Sequence, residues 1–77
     1  MDEIVERGHL AEADRIINDG IGRIERQKQL MQQLRRGGHG THEAERFLVL
    51  LQKSLTIMQI HRSSILRELE RNRPANP

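Results

Sequence analysis

The sequence predicts an all-α protein: an antiparallel two-helix hairpin that dimerises into a four-helix bundle. Three observations predict it. Apolar residues recur at steps of three and four along two long segments. Each apolar arc covers about half of a helix circumference when residues are placed at about 100° per step. One glycine-rich break, Gly37-Gly38-His39-Gly40, separates the two segments and can reverse the chain.

The first helix is expected over residues 3–36. Its seam reads Leu10, Ala13, Ile17, Gly20, Ile24, Gln27, Met31 and Leu34, at the spacing of a coiled-coil stripe. Asp14, Arg15, Asn18, Asp19, Glu25, Arg26, Gln29, Gln32 and Gln33 fill the opposite half. The weak point is Asn18-Asp19-Gly20-Ile21-Gly22, because a glycine inside a helix costs about 1 kcal/mol relative to alanine. Ile17, Ile24 and Met31 nevertheless stay seven apart across it, and a loop would have no reason to preserve that phase. The expectation is one continuous helix, with Gly20 on the seam permitting a close approach.

The turn is expected at 37–41, with Thr41 as N-cap of a second helix over 42–71. Glu43 and Glu45 fall in its first turn, where the helix dipole favours acid. Its seam reads Ala44, Leu48, Leu51, Leu55, Met58, Arg62, Ile65 and Leu69. Asn72, Pro74 and Pro77 end it, and 72–77 are expected as a disordered tail. The whole of 1–77 is read as one domain.

Charge supports the antiparallel arrangement. The start of helix one carries Asp2, Glu3, Glu6, Glu12, Asp14 and Asp19 against Arg7 and Arg15, whereas Arg62, Arg67, Arg71 and Arg73 gather near the end of helix two. Folding back at the glycines lays these opposite signs together and sets Arg35 and Arg36 near Glu43 and Glu45. Single surface pairs contribute only about 0–1 kcal/mol, so their value is orientation. This register puts Met31 near Leu48, Ile24 near Leu55 and Ala13 near Ile65. Arg62, a charge in a seam position, is expected to reach Asp14 or Asp19, or to fix register at some cost in stability.

A resemblance covers nearly the whole chain. The runs Leu10-Ala11-Glu12-Ala13-Asp14, Ile24-Glu25-Arg26-Gln27, Gly38-His39-Gly40-Thr41-His42-Glu43-Ala44-Glu45 and His61-Arg62-Ser63-Ser64-Ile65-Leu66-Arg67-Glu68-Leu69 carry it. They resemble a group of short uncharacterised alphaproteobacterial proteins of similar length. The resemblance implies a helical fold and brings no catalytic residue, cofactor or substrate.

Composition bounds the rest. Only 35% of the 77 residues are hydrophobic, with one Phe and no Trp, Tyr or Cys, so the core is thin and disulfides or thiolate-held metals are excluded. No apolar stretch approaches the ~20 residues of a membrane span. The acidic start Met1-Asp2-Glu3 lacks the pattern of a secretory leader, so a soluble cytoplasmic protein is expected. No phosphate-binding glycine loop, metal cluster or Ser-His-Asp set is legible, and neither enzyme activity nor a cofactor is expected. His39 and His42 bracket the turn with Glu43 and read as polar turn residues rather than a metal site. His9 and His61 fall within the apolar arcs and are expected as buried, hydrogen-bonded structural residues.

Three functions are weighed. The first is a homo-oligomeric helical scaffold or adaptor that binds itself and, in one variant, another helical protein. Beside the seam, Ile16, Leu30, Phe47, Leu50 and Ile57 would face water in a monomer, and a contiguous apolar patch of that kind marks an interface. The second is a nucleic-acid accessory protein, suggested by a sequence pI of about 9.9 and by bases that are all arginine except Lys28 and Lys53. A net charge of only +2 and the lack of stacking aromatics beyond Phe47 weigh against it. The third is a phosphotransfer module using His61. The segment His61-Arg62-Ser63-Ser64 lacks the acidic residue that follows the histidine in sensor-kinase dimerisation domains.

Overall fold

A computed structural model describes residues 3–72. Two helices, α1 (Glu3–Arg36) and α2 (His42–Arg71), pack antiparallel against each other. Met1, Asp2 and the segment 73–77, with Pro74, Pro77 and most of the expected tail, lie outside the described residues. Asn72 ends α2 as its C-cap, with its backbone N–H donated to the Glu68 and Glu70 carbonyls.

Helix α1 runs without interruption through Gly20 and Gly22. Local ion pairs brace it on either side of the glycines. Arg15 pairs with Glu12 and, at 3.2 Å, with Asp19, while Lys28 pairs with Glu25 at 3.7 Å. The Arg26 guanidinium folds back over Gly22. At Gly20 the approach of the helices is looser than the sequence suggests. A methyl there would lie 3.6 Å from Leu55 Cδ1 and 3.9 Å from Met58 Sδ, which is ordinary contact. Packing therefore does not demand glycine at this position.

The turn begins as a helix C-cap. Gly38 takes a positive φ of 73°, the left-handed conformation that glycine adopts without steric cost. Its N–H is donated to the Arg35 carbonyl at 3.0 Å, and the His39 N–H to the Leu34 carbonyl at 2.8 Å, a Schellman pattern that satisfies the last turn of α1. Thr41 occupies the N-cap position of α2 but does not cap it through its side chain. Its hydroxyl is donated to Glu45 Oε1 instead, and Glu45 also accepts from Arg35 across the turn at 3.3 Å. Of the charges expected to meet here, Arg35 and Glu45 do so.

The seam forms as its phase dictates. Ala13, Ile24, Met31 and Ile65 are buried; Leu10, Ile17, Leu34, Leu48, Leu51, Leu55, Met58 and Leu69 are half-buried along the same line. Among the described residues no side chain is completely enclosed. The rod measures 65 × 18 × 15 Å with a radius of gyration of 18.0 Å, against about 11–12 Å for a compact domain of this length.

The histidine expectation fails. His9 and His61 are both exposed, because a two-helix contact shelters only its central line and leaves the edges of each apolar arc in water. The buried polar residue is Glu6, 3% exposed, with His9 Nδ1 at 3.3 Å from its carboxylate. It lies seven residues before Ala13 and so continues the seam.

Two outcomes follow for the fold. Circular dichroism should show a helical spectrum with no strand component. Gly20→Ala and Gly22→Ala should each raise stability by about 0.5–1 kcal/mol, since a methyl at Gly20 makes only ordinary contact, one at Gly22 meets only the end of the flexible Arg26 side chain at 3.3 Å, and alanine restricts the unfolded chain. Gly38→Ala should lower it by about 1 kcal/mol through left-handed strain, with thermal melts distinguishing the three.

Candidate interaction surface

The most distinctive feature of the surface is a flank where apolar side chains from both helices line up beside the seam. On α1, Ile16, Arg23 and Leu30 are seven residues apart and therefore share one side. On α2, Phe47, Leu50, Ser54, Ile57 and His61 follow one another at alternating steps of three and four, the spacing of a second stripe. The tertiary structure joins the two rows. One groove is lined by Ile16, Gly20 and Arg23 of α1 with Ser54 and Met58 of α2. A second, almost wholly apolar recess is lined by Ala13 and Ile16 with Ile57, Met58 and His61.

Exposure tells these side chains apart from the seam. Leu30 is 44% exposed, Phe47 51%, Leu50 61% and Ile57 67%. Ile16 differs from expectation: it is half-buried, because it lies in the groove against α2 rather than on the crest of α1. Ile60, 60% exposed, was not among the expected residues. It follows Ile57 by three residues and extends the apolar surface around α2. Val49, Ile21, Val5 and Ile4 are also exposed away from the seam. Their scatter around the helical wheel offered no periodic signal that would have singled them out.

Polar contacts hold the hairpin in register beneath this flank. Near the turn, the seam residue Gln27 donates its amide to the Ala44 carbonyl at 2.9 Å. Toward the open end, Arg62 pairs with Asp14, one of the two partners its seam position suggested. Both residues of that pair are roughly half exposed, so the contact is screened by water. At the groove itself, which Arg15 and Asp19 also line, Arg15 donates to Glu12 and holds its carboxyl below the usual range, and the same contact raises Arg15.

The other candidate residues lie in the turn and along the exposed edges of the helices. His39 packs over Gly37 in the turn, and His42 is exposed at the start of α2. Among the described residues, no group of three or more metal-ligating side chains converges. The His61 ring stands at the edge of the apolar recess, and no described carboxylate or base hydrogen-bonds to it. The recesses on this flank hold about 250 and 200 Å³. Small-molecule sites occupy roughly 300–1,000 Å³, so both recesses are smaller than such sites. No described helix is long and apolar enough to cross a membrane. Comparison with known families, curated proteins and solved structures finds no match to the chain.

The interhelical pair can be measured by a double-mutant cycle. Arg62→Ala and Asp14→Ala should each destabilise the protein, with a coupling energy of about 0.5–1 kcal/mol at low salt that shrinks at high salt. The Glu12 carboxyl should titrate below the ordinary glutamate value of about 4.3. The sign follows from that lowered value: its small stabilising contribution is present above the unfolded pKa and lost as the pH falls through the folded one. An NMR titration should find the Glu12 midpoint returned to the ordinary value in Arg15→Gln.

Proposed function

We propose that this chain is a small self-associating helical scaffold, a non-catalytic cytoplasmic adaptor that pairs with a second copy of itself through its apolar flank. The observation that carries the reading is the exposure of Phe47, Leu50 and Ile57 in one row on a hairpin whose own seam buries only four apolar residues. The accessible surface is 6196 Å², against about 4,900 Å² for a compact monomer of 9.0 kDa. The rod thus exposes more surface than a compact monomer, and Phe47, Leu50 and Ile57 are part of it. Full burial of one such side chain is worth roughly 1.5–3 kcal/mol, so several per copy offset the entropy of association. A closed two-fold dimer is the commonest way to satisfy such a surface.

A nucleic-acid role has one observation in its favour. Arg23, Arg26, Arg46 and Lys53 lie toward the turn end and make no hydrogen bond or ion pair among the described residues. Helical phase, however, directs Arg26 and Lys53 to opposite sides of the rod. A phosphate backbone follows one continuous track, and these bases do not line one.

Light scattering should give close to twice the chain mass of 9.0 kDa. Phe47→Asp with Leu50→Asp should abolish the dimer and lower helicity in dilute buffer. A wild-type protein that stays a folded monomer at high concentration would overturn self-association. A salt-dependent mobility shift of RNA or DNA by such a monomer would favour the nucleic-acid role.

A further inference from the structure

We infer that the second copy docks antiparallel, turn end against open end, about a two-fold axis that passes beside Ser54 and Arg23. The inference rests on the self-association reading and adds the geometry that reading leaves open.

The order of side chains is the first ground. The α2 row is centred on Ser54: Phe47 lies seven residues before it and His61 seven after, Leu50 four before and Ile57 three after. An axis perpendicular to the rod at Ser54 therefore lays α2 on its own copy. Leu50 then meets the second copy's Ile57, and Phe47 the second copy's His61. The α1 row is centred on Arg23, with Ile16 seven residues before it and Leu30 seven after, so the same operation sets Ile16 against Leu30. Each centre is a property of one helix alone. Only the register of the hairpin decides whether they coincide, and they do, because Arg23 and Ser54 line the same groove. One axis thus satisfies both rows. At that axis stand the small residues Ser54 and Gly20, which allow close approach of the two copies.

Charge is the second, independent ground. The half of the rod nearer the turn, residues 20–54, carries seven bases and three acids. The half nearer the open end, residues 3–19 and 55–72, carries seven acids and five bases. Antiparallel docking puts the basic half of one copy on the acidic half of the other. Parallel docking would place the two basic halves side by side, which costs energy and slows association. Arg23 fits the same picture. It makes no ion pair within the described hairpin; across the axis it stands beside the second copy's Arg23, and the second copy's Asp19, which Arg15 of that copy also holds, lies about one helical turn away and can neutralise it.

The chain contains no cysteine, so single labels report the geometry cleanly. Gly40 suits the purpose, because a Cβ there meets open space and its φ is not positive. A nitroxide on Gly40→Cys should give an electron–electron distance of about 40 Å between copies, twice the helical rise from the axis to the turn. Ser54→Cys should oxidise readily to a disulfide-linked dimer, and Phe47→Asp with Leu50→Asp should abolish both signals. A dimeric mass with a Gly40 distance under about 25 Å would overturn the antiparallel arrangement and leave self-association standing. A monomeric mass would overturn both.

Discussion

Two helices that touch along one line can withdraw from water only the side chains on that line. The limit is geometric, and the rest of this molecule depends on it. Here the line holds Ala13, Ile24, Met31 and Ile65 as its buried members, and the larger leucines beside them remain half-covered. A helix whose apolar arc spans half its circumference needs contacts on two sides. The hairpin supplies one such contact, and the flank of Phe47, Leu50 and Ile57 stays in water.

A contact so narrow is also easy to slide, and part of its composition is given over to preventing that. Gln27 sits where an apolar residue would bury more area, yet its amide finds the Ala44 carbonyl, a partner at one height only. Arg62 does the same at the far end with Asp14. Each polar insertion forgoes hydrophobic burial in return for a single register, as polar seam residues do in coiled coils. The Schellman turn at Gly38 sets the starting point from which both contacts are counted.

The same geometry accounts for the chemistry of the surface. With only two helices there is no third wall to enclose a cleft, so His9, His42 and His61 are all left in water. Of the three, His9 has a hydrogen-bonding partner in the buried Glu6 carboxylate, at 3.3 Å from its Nδ1. What two parallel rods of side chains can form well is a long, shallow, amphipathic face.

Periodicity alone determined the two helices, their limits, the reversal at the glycines, the continuity through Gly20 and Gly22, and the identity of the seam. Those features depend on the spacing of side chains along one chain, which is written directly in the order of residues. The exposed row on α2 is legible for the same reason; Ile60 and the buried Glu6 are not, because Ile60 lies outside that row and Glu6 is a charged residue in a seam position. The tertiary structure decided the rest. Whether His9 and His61 are sheltered depends on how wide a strip the opposite helix covers, and no single helix records the width of its neighbour. The room for a methyl at Gly20, the choice of Asp14 over Asp19 by Arg62, and the alignment of Arg23 with Ser54 depend on interaxial distance and register. Those quantities are sums over both helices at once, and they exist only after the chain has folded back on itself.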